Sequence, residues 1–170
     1  MNNAKTSNRD LSALYPDLKV RYLKLKADMK DHFKDIFLTD GFRSFERQNH
    51  LYALGRTIDD TKRVTDAKAG ESFHNYGLAF DVAFIGPEMY SENNPWNDLG
   101  RIGKAHGLEW GGDFSESKRD RPHFQLRYGM QLNEIQYLYK QGGLEKLWSR
   151  IDYIRGVPIG EKWYGPQRNI

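Results

Sequence analysis

An α+β domain, with a small, mostly antiparallel sheet backed by helices, is the fold class that this chain of 170 residues predicts. Three observations carry it. Segments of helical periodicity and segments of strand alternation come mixed along the chain, not in separate blocks. The stretches around Asp81 and His123 both read as strands, and a helix, a short strand and a loop lie between them. The length suffices for one buried core and is short for two, and no repeat or Pro/Gly/Ser-rich linker divides it, so a single domain over residues 1–170 is expected.

The first helix follows Pro16, which suits a first turn; Leu18, Tyr22, Leu25, Met29 and Phe33 recur at steps of three and four along one face. A short strand over Ile36 to Leu38 leads through a turn at Asp40 and Gly41 to Phe42 and Arg43. A second helix runs from about Ser44, as N-cap, towards Leu54. From Gly55 to Glu71 the chain is polar and aperiodic, a long surface loop of the kind that is often functional. In the next strand Leu78, Phe80, Val82 and Phe84 alternate with Ala79, Asp81 and Ala83, so one face is large and apolar and the other small apart from one carboxylate.

A turn-rich stretch leads to a third helix with Trp96, Leu99, Ile102 and Gly103 at helical spacing, ended by Gly107. Leu108 to Trp110 reads as a short strand, residues 111–121 as a loop, and the stretch from Pro122 to Tyr128 as another strand that opens on its proline. Two helices follow, about Leu132 to Lys140 and Leu144 to Ile154, parted by Gly142 and Gly143. The last fifteen residues show no period.

Composition bounds the function. Hydrophobic residues make up 38% and aromatics 14%, enough to fill a core, so disorder is not expected. No apolar run approaches the ~20 residues that cross a bilayer, and the first residues lack the layout of a secretory signal, so synthesis in a cytoplasm is expected. The net charge of +3 comes from basic residues scattered among acids. The short clusters at Lys62 and Arg63 and at Lys118 and Arg119 are not interleaved with aromatics, which gives no sign of a nucleic-acid groove. With no cysteine, any metal must sit on histidine and carboxylate.

Catalytic zinc commonly takes three such ligands and leaves a fourth position for water. His74 and Asp81 are candidates, seven residues apart, an odd spacing that would send them to opposite faces of one regular strand. Gly77 lies between them and permits a turn that swings His74 back over Asp81. His123, sharing a strand face with Gln125, is the third candidate if the two strands are neighbours. Asp120, three residues earlier, is placed to take a proton from an attacking water and deliver it to a leaving amine. Singly, each fragment has a plainer reading: a chance His–Asp spacing, an ordinary strand histidine, and an aspartate paired in solvent with Arg119 or Arg121. His32, His50 and His106 fall on predicted helices and read as structural, His106 being the nearest rival ligand.

In this order the fragments resemble the LAS-type zinc peptidases, which include D-Ala-D-Ala carboxypeptidases and dipeptidases and the L-alanyl-D-glutamate endopeptidases of bacteriophages. Ser72, His74, Gly77, Ala79 and Asp81 match the pattern S-x-H-x-x-G-x-A-x-D in full, and Asp120 and His123 match the family's acid three residues before its last histidine. The form D-x-P-H-F-Q, with WGGDF upstream, looks like the phage branch, and GFRSFERQ resembles an element lining the substrate cleft. The resemblance covers about residues 10–140, leaving 141–170 as a C-terminal extension whose Trp148, Trp163 and Tyr164 read as core.

The resemblance implies a fold like that of D-Ala-D-Ala peptidases and hedgehog domains. It implies zinc on His74, Asp81 and His123, and Asp120 as catalytic base. It further implies that Arg43 binds substrate or the developing oxyanion, with Gln48 and Ser72 close by at the substrate. The function it implies is a monomeric endolysin that hydrolyses peptidoglycan stem peptides at the L-alanyl-D-glutamate bond after the membrane is breached. The alternatives are a D-Ala-D-Ala carboxypeptidase or dipeptidase of the same fold, and a non-catalytic zinc module that binds the wall.

Overall fold

The computed structural model describes residues 6–58 and 62–158. Trp163 and Tyr164 lie outside the described residues. Helix α1 (Pro16–His32) has proline in its first turn and buries Leu18, Tyr22, Leu25 and Met29. Phe33, expected on the same face, is 46% exposed because the helix ends at His32 and Phe33 leaves helical geometry (φ −141°, ψ −96°), so the four-residue step no longer applies.

Strand β1 (Ile36–Asp40) runs two residues beyond the predicted segment. Helix α2 (Phe45–Ala53) opens on Ser44, whose hydroxyl accepts the Arg47 N–H at 3.2 Å. Strand β2 is Ala79–Phe84, helix α3 is Trp96–Ala105, and strands β3 and β4 are the short Glu109–Trp110 and His123–Gln125. Pro122 stands just before β4, and its carbonyl accepts the Val82 N–H at 3.0 Å, so the ladder continues past the residue that cannot donate. Helix α4 (Leu132–Ile154) consists of the two predicted arms, with non-helical backbone at Gly142 and Gly143.

The four strands form one antiparallel sheet in the order β1-β2-β4-β3. Directly opposed residues of antiparallel strands point to the same face. Phe80 pairs with Phe124, which pairs with Trp110, and this row faces α1 and α3: Phe80 meets Tyr22 edge-on at 5.3 Å between ring centres and stacks on Phe124 at 5.5 Å. Both phenylalanines are wholly buried, and truncating either to alanine costs about 3–5 kcal/mol. The close approach of α3 depends on Gly103, where an added Cβ would run into the Phe124 ring.

The opposite face carries a polar row. Asp81 pairs with His123, and Gln125 pairs with Glu109. Between Leu38 and Asp40 the β1 register slips by one residue, so Asp40 pairs with Asp81. Without that bulge Thr39 would stand there and Asp40 would point away, since a one-residue shift exchanges the two faces.

Candidate metal centre

His74 sits in a 3-10 turn, Phe73–Tyr76, that ends at Gly77 in the left-handed region (φ 68°). This is the turn predicted from Gly77. It swings the imidazole back over β2, where Asp81 and His123 already meet across the ladder. Three atoms converge there. His74 Nε2 is 3.3 Å from Asp81 Oδ1 and 3.3 Å from His123 Nδ1, and His123 Nδ1 is 3.0 Å from Asp81 Oδ1. Tetrahedral ligands placed about 2.0–2.1 Å from a zinc ion lie about 3.3–3.4 Å from one another, so the donor set fits a zinc ion with little adjustment. His74 Nδ1 is 2.7 Å from the Gly41 carbonyl, which can only accept, so Nδ1 carries the hydrogen and Nε2 is bare for a metal.

The charges are arranged for the same end. Burial lowers the His74 pKa and keeps the ring neutral, although Asp81 pulls the other way. Burial alone would raise Asp81, but His74 and the hydrogen bond from His123 outweigh it and hold the carboxyl well below its usual range. Burial likewise pushes His123 down, and the hydrogen bond and charge of Asp81 override it and carry its pKa up. Asp81 and His123 retain 19% and 12% side-chain exposure against 2% for His74, so the cluster is open on their side.

Asp120 stands at that opening. Its N–H donates to the Gly111 carbonyl at 3.0 Å, its carbonyl accepts the His123 N–H at 3.2 Å, and Trp110 Nε1 ties the next carbonyl, of Arg121, at 2.8 Å. The backbone is pinned while the side chain is solvent-exposed, and among the described residues its carboxylate accepts no hydrogen bond. Desolvation by the cleft wall, and after it the Asp81 charge, raise the Asp120 pKa towards that of a proton carrier.

Arg43 is buried behind Asp81. Its Nη2 donates to Asp81 Oδ2 at 3.2 Å and lies 3.1 Å from Asp40 Oδ2, its Nε reaches Asp40 at 3.2 Å, and its Nη1 donates to Gln48 Oε1 at 3.1 Å. Gln48 is fully buried, with its amide nitrogen on the Ala67 carbonyl at 2.6 Å, so it joins α2 to the polar loop. Ser72, half-buried at the N-cap of the metal turn, makes no side-chain cap. His106 is not part of the cluster: its Nε2 pairs with Asp28 at 2.8 Å on the helical side of the sheet.

Several supporting residues were missed by reading the sequence. Asp40 gathers Arg43 and Arg47; Asn75, fully buried, donates to the Arg43 carbonyl at 2.7 Å and accepts the Gly70 N–H at 2.9 Å. Gln125, Glu109 and Arg127 form a chain behind His123, with contacts of 3.0, 3.0 and 2.8 Å. Trp148, expected in the core, donates its indole N–H to the Tyr76 carbonyl at 2.9 Å.

Two imidazoles and one carboxylate, with no fourth protein donor in the cluster among the described residues, make a mononuclear metallohydrolase site; a structural zinc would be closed by four ligands. A family model described as D-alanyl-D-alanine carboxypeptidase matches residues 65–126. The peptidoglycan L-alanyl-D-glutamate endopeptidase CwlK of Bacillus subtilis is 40% identical over 126 residues, which are 68% of this chain and 74% of that protein. The crystal structure of the Serratia marcescens L-Ala D-Glu endopeptidase ChiX, 23% identical, aligns over 74% of this chain and 90% of its own with a TM-score of 0.50. The LdcB LD-carboxypeptidase, also 23% identical, aligns over 84% and 80% with a TM-score of 0.53. The chain belongs to the LAS-type zinc peptidases and shares their α+β fold. It is a metallopeptidase of that family, and no helix among the described residues is long and apolar enough to cross a membrane.

Proposed function

We propose that this protein is a zinc-dependent endopeptidase that hydrolyses peptidoglycan stem peptides between L-alanine and D-glutamate. The observation that carries the reaction type is the meeting of His74 Nε2, Asp81 Oδ1 and His123 Nδ1 within 3.3 Å of one another beside the exposed Asp120. The bond specificity is supported by the 40% identity to CwlK. Zinc held by His74, Asp81 and His123 supplies Lewis acidity, which polarises a carbonyl and makes a water more acidic.

The side chains do the rest. The Asp120 carboxylate takes the proton of the attacking water on one oxygen and gives it to the leaving amide nitrogen, and its raised pKa strengthens it as the base of the first transfer. Arg43 fixes Asp81 through Oδ2, so that Oδ1 faces the imidazoles, and its charge acts at longer range on the oxygen that becomes negative. Gln48 orients Arg43 from behind, and the half-buried Ser72 hydroxyl, at the edge of the metal turn, contacts the peptide. The D-x-P-H-F-Q form at Asp120 to Gln125 supports a bacteriolytic role of the phage endolysin kind, acting on the wall as a monomer once the membrane is open.

A D-Ala-D-Ala carboxypeptidase is the second reading, favoured by the description of the family model over residues 65–126. Mass spectrometry of purified muropeptides separates the two. Release at L-alanine is expected; loss of a terminal D-alanine alone would replace the endopeptidase by the carboxypeptidase. Asp120→Ala should abolish turnover with zinc still bound, and an undiminished rate would remove Asp120 from the reaction.

A further inference from the structure

We propose that Phe114 is a specificity-determining residue, an apolar wall beside the metal ligands that takes the methyl of the L-alanine on the acyl side of the scissile bond. The inference rests on the endopeptidase reading above and concerns which side chain the substrate of that reading must carry. Phe114 is half-buried, yet it takes no part in the hydrophobic core, against which the half-buried Phe45, Phe73 and Trp148 pack. Its ring lies instead against a metal ligand, 5.9 Å from the centre of the His123 imidazole and tilted by 50°. His123 stands on the side where the cluster is open, so a phenyl ring packed there borders the space that a peptide enters. Arg43 and Gln125, which hydrogen-bond the ligands, are polar, and the ring adds an apolar part to the wall.

The loop that carries the ring is closed at its neck. The Gly111 carbonyl accepts the N–H of Phe114 at 3.2 Å and that of Asp120 at 3.0 Å, so the wall and the proton carrier hang from one backbone group. A Cβ on Gly111 would stand 2.3 Å from the Asp120 carbonyl oxygen and 2.9 Å from the His123 Cβ, so the loop lies directly on the start of β4. Phe114 is thereby in place before a peptide arrives. Of the two residues that flank an L-alanyl-D-glutamate bond, glutamate brings a carboxylate, which would lose its hydration against a phenyl ring and gain no partner. Alanine brings a methyl, and the methyl is the group that gains by leaving water for the ring. A ring so close to His123 also limits the room, which counts against a side chain longer than that of alanine.

Synthetic N-acylated stem peptides with glycine, L-alanine or L-leucine ahead of D-glutamate test the proposal through ratios of kcat/KM for the zinc-loaded chain. One methyl on an apolar wall is worth about tenfold, so the unaltered chain should prefer alanine to glycine by about that factor and cleave the leucine peptide least. In Phe114→Ala the preference for alanine should fall to about twofold or less, and leucine should gain on alanine by about tenfold. Phe114→Leu, which keeps an apolar wall, should retain most of the preference for alanine. Each ratio is taken within one variant, so a general loss of stability or of metal lowers all three rates alike and leaves it unmoved. An unaltered chain that treats glycine and alanine alike, or a Phe114→Ala with the ratios of the unaltered chain, would overturn the proposal. A second readout needs no turnover: in zinc-loaded Asp120→Ala saturated with the alanine peptide, the alanine methyl should show a nuclear Overhauser contact with the Phe114 ring. Absence of that contact would overturn the proposal as well. A chain that released only a terminal D-alanine would overturn the bond assignment instead, and the methyl contact would still decide the wall.

Discussion

Replacing Arg43 by methionine keeps the length of the side chain and removes its charge, which distinguishes a guanidinium that braces Asp81 from one that waits for substrate. The Arg43 side chain is 10% exposed and its partners Asp40 and Asp81 are 8% and 19% exposed, so both ion pairs are largely withdrawn from water. Breaking a buried pair by removing one partner costs about 3–5 kcal/mol. Asp40 keeps Arg47 at 3.3 Å and Asp81 keeps His123 at 3.0 Å, so neither carboxylate is left bare and the cost of one pair, not two, is the appropriate figure. At about 2–4 °C per kcal/mol for a chain of this size, the Tm of the metal-free protein should fall by roughly 6–20 °C. Calorimetry with and without saturating zinc is the assay. A bound cation takes over as the counter-charge of Asp81, so the deficit should narrow on adding metal. If Arg43→Met melts within about 2 °C of the unaltered chain and yet loses hydrolysis, the bracing argument is wrong and the guanidinium belongs to the substrate.

Zinc affinity should fall as the solution is acidified. His123 has its pKa raised and His74 lowered, so between those two values one proton, on His123, must leave for each metal bound, and the apparent affinity drops about tenfold per pH unit; titration calorimetry in buffers of different ionisation enthalpy counts that proton. His74→Ala should lose the zinc expected by elemental analysis in the unaltered protein, since its Nε2 is one of the three donors that meet among the described residues. Gly103→Ala should destabilise the chain by about 1–3 kcal/mol in a denaturant titration, because the new methyl meets the Phe124 ring and outweighs the gain in helix propensity.

The parts of the site legible in the sequence were those that depend on local chemistry. Gly77 between His74 and Asp81 announced the turn, Gly142 and Gly143 the break in α4, and the alternation about Asp81 its strand. The support of the site was hidden for a physical reason. Asp40 reaches the functional face only because β1 slips register, and a bulge is a property of a pair of strands, invisible in either alone. Glu109 and Gln125 are common residue types sixteen apart, and Arg43 and Asp81 thirty-eight apart; their value comes from neighbours that only the finished sheet supplies. Phe33 shows the converse, a residue with the right spacing that falls one step past the end of its helix.

The turn that carries His74 is fastened from both ends of the chain: the Tyr15 N–H holds the Gly77 carbonyl at 2.9 Å, and the indole of Trp148 holds that of Tyr76. Those tethers span 62 and 72 residues, the second closing only when α4 has doubled back at its glycines. A nascent chain still short of Trp148 has every ligand already translated and lacks the buckle that seats the first of them. The seat of His74 is therefore completed only once Trp148 has joined the fold, and a product terminated before that residue lacks the tether.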